Sequence, residues 1–448
     1  MSEQSQHQLT GIAAVAALAD LGLASLAAGP IARRRTVVGL LERVQGDHRA
    51  LRRMQVLRRQ FGSGPVELVI PGRRILVLLD PTDVGRVLEE TPSPFDPASW
   101  EKRRALEQFQ PHAVLISRGP IRQQRRELNE TALDTAAELH HLANRFADTI
   151  AEEAAKIAGD NLSSGSIDSA QFTKAWWQLV RRLVLGDAAR DDHAVTDDLW
   201  RLRRAGNWSF LALPHASRRA RFFERLYRYA ETAEPQSLIG TLAREPAGAA
   251  TDPIGQVPHW LFAFDAAGMA LLRCAALLAD RPEELGRCET SNPETIGVRP
   301  FLRACILESV RLWPTTPILL RETTAETTWR DGPDRFTVPH PATVLIPVPA
   351  LHRDQKLSPF ANDFVPDIWL DGRAQQYPQL VPFSAGPAEC PGRNLVLFVT
   401  STLLAHLFDA MDLALESVPG LAAGRPLPLT LNQFGLTFKA RARCSNAG

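Results

Sequence analysis

The stretch 382–394, Pro-Phe-Ser-Ala-Gly-Pro-Ala-Glu-Cys-Pro-Gly-Arg-Asn, decides how the rest of the chain is read. Cys390 stands between Gly386 and Gly392, Pro387 and Pro391 restrict the loop, and an apolar helical pattern from Asn394 to Phe408 follows at once. Glycine lets backbone approach a flat ligand closely. Proline suits the first turn of a helix, where an amide proton is unpaired anyway, and a helix N-terminus lowers the pKa of a thiol. Such a loop presents one thiolate to an iron. Taken alone, the same cysteine also reads as a buried structural residue in a Pro/Gly turn.

The pattern Phe383-x-x-Gly386-x-x-x-Cys390-x-Gly392 resembles the haem-binding loop of the cytochrome P450 family. The resemblance implies that Cys390 ligates the iron of heme b (iron protoporphyrin IX), with Phe383, Gly386 and Gly392 shaping the cofactor loop. It implies a mainly α fold, a large helical domain with a small β-rich region near the N-terminus. The implied activity is monooxygenation of an apolar or aromatic small molecule, in secondary metabolism. Dioxygen and electrons from a ferredoxin-type or flavin redox partner would be consumed.

Composition fits an ordinary globular protein: 448 residues, 23% charged, net charge +1. This is enough material for a sizeable core, and it lacks the basic excess of a nucleic-acid binder. With no linker-like tract and no internal repeat, the chain reads as one domain over 1–448. Residues 1–60 form an N-terminal helical extension, and about 60–448 match the family. Cys274, Cys288, Cys305, Cys390 and Cys444 are far apart and odd in number, with no Cys-x-x-Cys pair, which argues against disulfides and structural zinc and fits a reducing cytoplasm. His140 and His141 are adjacent, so on a helix they point to different sides and offer no metal site. Gly11 to Ala32 is apolar and precedes Arg33, Arg34 and Arg35, yet Asp20 and many alanines favour a soluble helix over a membrane anchor. A cytoplasmic monomer without membrane or nucleic-acid partners is expected.

Residues 64–80 contain two apolar runs joined by Pro71-Gly72, a hairpin signal, and Asp80 then caps a helix through Glu90. Thr91 to Arg118 reads as a long irregular loop, and by the resemblance Phe95, Trp100, Phe109 and Ile116 are candidates for a pocket wall. In the helix opened by Gly119-Pro120, Arg126 matches the family's arginine for a haem propionate, and Arg122 stands where a histidine is usual. Helical spacing runs from Ala132 to Ala158 and from Phe172 to Leu185. Trp200 to Ala230 mixes aromatic residues with many arginines. It reads as a solvated face, or as a cationic lid for an anionic substrate, a carrier protein or a lipid surface.

His259 to Ala279 reads as a buried helix with Asp265 as its one acid, and a buried carboxylate needs a partner, water or a task. Counting back from Pro282, the resemblance puts Asp265 at the acid of the oxygen-activating pair and Ala266 where threonine is usual, so both are taken as catalytic positions on an atypical central helix. Glu308 and Arg311 share a helix face at i, i+3 among apolar neighbours. They match the family's Glu-x-x-Arg structural pair, and Arg321 falls at a further propionate position. In Phe364-x-Pro366-x-x-Trp369 the family's arginine is missing, since Asp367 and Ile368 follow the proline, so Arg353 or Arg373 is expected to complete the network. Ala388 stands where a propionate-binding His or Arg is common. Ala266 leaves open a peroxide-driven or non-monooxygenase enzyme, and a non-catalytic haem ligand-binding protein would also keep Cys390.

Overall fold

The computed structural model describes residues 7–443, apart from 209, 212, 213, 233, 246, 247, 249, 290–294 and 418–420; Cys444 lies outside the described residues. The hairpin forms as its turn chemistry requires. Val66–Ile70 pairs antiparallel with Arg73–Val77 in the register Val66↔Val77 to Ile70↔Arg73, and Gly72 takes the left-handed φ of 73° that a side chain would resist. Asp80 caps Pro81–Glu89 by accepting from the Thr82 amide at 2.7 Å.

This hairpin belongs to a six-stranded sheet ordered Gln8–Thr10, Val66–Ile70, Arg73–Val77, Thr343–Pro347, Ile318–Thr323, Phe95–Asp96. The β region therefore draws two of its strands from the C-terminal half. The N-terminal extension is helical from Gly11 but begins with a strand, Gln8–Thr10, paired parallel to Glu67–Val69. Helix Gly11–Ala28 is long and apolar enough to cross a membrane by length and composition. Here it lies against the sheet through Ala14, Ala17 and Leu21, and Asp20 pairs with Arg49 at 3.0 Å and Arg53 at 2.5 Å on helix His48–Phe61.

The second and larger core surrounds the central helix, Val257–Ala279, which packs on Ser169–Leu185, Pro300–Leu312 and Arg393–Ala410. Trp176 Nε1 donates to the Phe264 carbonyl at 2.8 Å, and a Cβ on Gly268 would sit 2.6 Å from that same nitrogen. Glycine is what lets the indole lie on the helix. Two expected elements differ. The helical spacing read from Ala132 to Ala158 takes helical form only from Ala143: helix Gly119–Ala132 ends where that reading starts, residues 133–142 form a turn, and helix Ala143–Ser164 follows. Local propensity loses there because Thr135 Oγ1 donates to the Pro391 carbonyl and Asn394 Nδ2 to the Thr135 and Ala137 carbonyls, which tie the turn to the cysteine loop. The expected loop Thr91–Arg118 holds the short strand Phe95–Asp96 and a helix, Trp100–Leu106, capped by Ser99.

Candidate active site

The cysteine loop is fastened at several points. Cys390 N donates to the Phe383 carbonyl at 2.9 Å, and Arg126 Nη1 donates to the Glu389 carbonyl at 2.6 Å. Gly386 has φ 64°, and a Cβ there would meet the Leu88 carbonyl oxygen at 2.3 Å, so the position excludes any other residue. Helix Arg393–Ala410 starts behind the loop with Gly392 as its N-cap, which leaves Pro391 just before the helix. Burial pushes the Cys390 thiol above its ordinary value, and the Gly392 amide and the Arg126 and Arg393 cations only partly oppose this. Burial drives Cys274 and Cys305 well upward too, which leaves them inert thiols in the core.

Glu308 and Arg311 are wholly buried and joined twice, Nε to Oε2 and Nη2 to Oε1, both at 2.7 Å. Arg311 spends its other donors on the Phe360, Ala361 and Asp363 carbonyls. The expected third arginine does not arrive. Arg353 is buried but donates to the Leu312, Leu427 and Pro428 carbonyls, while Arg373 pairs with Asp371 at the surface. The carboxylate of Glu308 is completed instead by the Val365 amide at 2.9 Å and the Trp369 indole N–H at 3.0 Å. Asp367 turns outward to Arg287. Neutral donors suffice because one cation already balances the acid. His352 then links this pair to the cysteine loop: its Nε2 accepts from the Val381 amide at 3.1 Å, and its Nδ1 lies 3.0 Å from the Arg311 carbonyl. That arrangement places the single proton on Nδ1, and burial pushes the imidazole pKa down to about 3.

Both halves of this arrangement fall within a stretch that matches known proteins. The cytochrome P450 family model matches residues 285–419. Cytochrome P450 4g15 of Drosophila melanogaster is 34% identical over 109 residues, 24% of this chain and 19% of that protein. Beta-amyrin 24-hydroxylase of Glycine max is 35% identical over 123 residues, 25% of this chain and 23% of that one. The chain thus spans only about a fifth of the length of these relatives. A solved cytochrome P450, CYP102L1, superposes with a TM-score of 0.70 at 17% identity, covering 88% of this chain and 94% of that one. The chain has the cytochrome P450 fold, and residues 285–419 carry the match to that family's sequence model.

P450 proteins carry haem b, whose two propionates need cations, and the side chains near the loop fit such a group. Lys102, Arg122 and Arg321 influence one another electrostatically, and each is held below its ordinary pKa first by burial and then by a neighbouring guanidinium: Arg321 to about 10, Lys102 to about 7. Among the described residues, none of the three forms an ion pair. The nearby acids are engaged elsewhere, Asp96 with Arg118, Glu101 with Arg73 and Glu130 with Arg126. Arg122 Nε is buried with no hydrogen-bond partner. Arg321 reaches Thr91 Oγ1 at 3.1 Å and Ser384 Oγ of the cysteine loop at 3.4 Å. Three cations without a paired carboxylate, Arg321 buried and Lys102 and Arg122 half-buried, suit a dianion. Lys102 was not identified from sequence because it sits in the stretch read as a loop, and only the fold brings it to Arg321.

On the P450 central helix, Asp265 pairs with Arg203 of helix His193–Gly206 at 2.6 Å. Arg203 is thus not part of a solvated arginine face: it is buried, lies over the Phe262 ring, and also donates to the Ile31 carbonyl. Other arginines of that region, Arg201, Arg204 and Arg218, line a surface cleft of about 520 Å³ with Trp208 and His215. Phe262 is met edge-on by Phe109, centroids 5.6 Å apart, and by His259 at 5.9 Å. Burial, with Lys102 adding to it, pushes His259 down to about 4 and keeps it neutral. Of the four loop residues expected at the pocket wall, Phe109 reaches this aromatic group. Phe95 packs on Trp329 in the sheet core, Trp100 is exposed against Phe210, and Ile116 lies in the helical core. Ala266 is half-buried one residue beyond the acid.

Proposed function

We propose that this chain is a haem-thiolate monooxygenase for an apolar or aromatic small molecule, with Cys390 as the iron ligand. The observation that carries this reading is one fastened thiol beside three cations, Arg321 buried and Lys102 and Arg122 half-buried, that form no ion pair among the described residues. Lys102, Arg122 and Arg321 take the propionates, while Arg126 holds the loop and faces the same edge. Phe383, Gly386 and Gly392 shape the loop around the cofactor. Bound haem supplies an iron whose thiolate ligand favours cleavage of the oxygen–oxygen bond. Phe109, Phe262 and neutral His259 exclude water and favour an apolar guest. Asp265, anchored by Arg203, is the group placed to hold and pass protons, and Ala266 beside it has no donor or acceptor to help. Glu308 and Arg311 touch neither substrate nor cofactor; they brace the loop through His352.

The balance is substrate C–H plus dioxygen, two electrons and two protons, giving C–OH and water, with electrons from a ferredoxin-type or flavin partner. The docking of Asp20 on Arg49 and Arg53 supports a cytoplasmic protein that keeps its first helix on its own surface. The test is a spectral screen for ligands followed by turnover under ¹⁸O₂ with a surrogate electron donor. Product carrying one ¹⁸O is expected. Product free of that label, or none from any ligand that shifts the spectrum, would overturn the proposal. Ala266 favours a second reading, peroxide-driven or non-monooxygenase chemistry, marked by product forming without an electron donor.

A further inference from the structure

Adjacent histidines diverge on a helix, but residues 133–142 form a turn, and there the His140 and His141 rings lie face to face with centroids 4.4 Å apart. The expectation that they cannot serve one metal fails with the expected helix. Asp134 completes a group whose ligand atoms all lie within 4.8 Å of one another, and no other such group of three occurs among the described residues. We propose that Asp134, His140 and His141 bind a divalent cation of the zinc class, on the turn that braces the Cys390 loop.

Two imidazoles and a carboxylate form a donor set suited to zinc, with a fourth position left for water. His140 is already built as a ligand. Its ring is buried, held between His141 and Phe146, and its Nε2 lies 3.1 Å from the Ala132 carbonyl. That contact fixes the proton on Nε2 and leaves the Nδ1 lone pair available, the orientation that a carbonyl accepting from the far ring nitrogen gives metal-binding histidines. His140 Nδ1 lies 3.9 Å from Asp134 Oδ2 and at present accepts the Leu142 amide at 3.1 Å, a contact the metal must displace. His141 Nδ1 lies 2.6 Å from the same carboxylate oxygen. Tetrahedral ligation at about 2.0–2.1 Å sets ligand atoms roughly 3.3 Å apart. The longer separation must therefore close, which the partly exposed Asp134 carboxylate can do by turning toward His140, and the shorter one must open, which the half-exposed His141 ring allows. Since Thr135 and Asn394 join this turn to the cysteine loop, the ion would stiffen the brace.

The test is equilibrium dialysis of haem-loaded, chelator-treated protein against Zn²⁺ in several-fold molar excess, with a thermal scan of the same samples. One ion per chain and a raised melting temperature are expected for the wild type. Asp134→Asn and His141→Ala should weaken binding by about ten-fold or more and abolish the thermal shift. Asn suits the left-handed φ of 46° at position 134, and residue 141 is half exposed, so both variants should fold. No ion bound by the wild type, or equal binding in the variants, would overturn the proposal.

Discussion

Replacing Glu308 with alanine strips the acceptor from Arg311 Nε, Arg311 Nη2, the Val365 amide and the Trp369 indole at once, all at 2.7–3.0 Å. The guanidinium keeps its carbonyl partners but loses its only counter-charge in a site with no exposure. Breaking a buried pair in this way costs about 3–5 kcal/mol. Two further donors are orphaned here, which places the expected loss in the upper part of that range, a third or more of a typical stability of about 5–15 kcal/mol. The assay is the urea midpoint together with the haem-to-protein ratio after purification. Glu308→Gln, which keeps the shape and one acceptor oxygen, should lose less. Trp369→Phe should cost about 1.5–3 kcal/mol in the wild type and close to nothing in the Glu308→Ala background, since its partner is already gone. Fully haem-loaded Glu308→Ala with an unchanged midpoint would refute the reasoning.

Reduced protein with carbon monoxide should show the long-wavelength Soret band of thiolate ligation, and Cys390→Ser should lose it; an unchanged spectrum in the variant removes Cys390 as ligand. Wild type without its own substrate should leak electrons as peroxide, and Ala266→Thr should reduce peroxide released per donor consumed; tight coupling in the wild type would show that the hydroxyl is replaced from within the protein. Two histidines held neutral by desolvation, the buried His352 and the half-buried His259, contribute to the acid limb of stability. His352 is held near 3 and His259 near 4 against an ordinary 6.5, so both stay neutral in the fold while the unfolded chain takes up protons. Their contribution is intact above pH 6.5 and is lost as pH falls through 4 toward 3, at about 1.4 kcal/mol per pH unit for each proton. His259→Leu should remove one proton from that slope in urea titrations between pH 6 and 4; an unaltered slope would show that His259 is not held neutral in the fold.

What the sequence determined by itself lies within one turn, one loop or one helix face. The Pro71-Gly72 hairpin, the Cys390 loop with a left-handed Gly386, the buried central helix and the i, i+3 placement of Glu308 and Arg311 each follow from neighbouring residues. Tertiary structure decided which distant groups meet, because that depends on how whole elements pack. Asp265 finds Arg203 only when the two helices cross, and an arginine that composition assigns to solvent becomes a buried counter-ion. Glu308 is completed by Val365 and Trp369 while both candidate arginines are claimed by nearer acceptors, and Lys102 joins Arg321 from a stretch with no pattern of its own. The helix that propensity carries past Ala132 stops because Thr135 and Asn394 offer the turn better partners on the cysteine loop. Hydrogen bonds and desolvation act through space, so a charged side chain's role is settled by the surface it is pressed against, which its place in the chain does not specify.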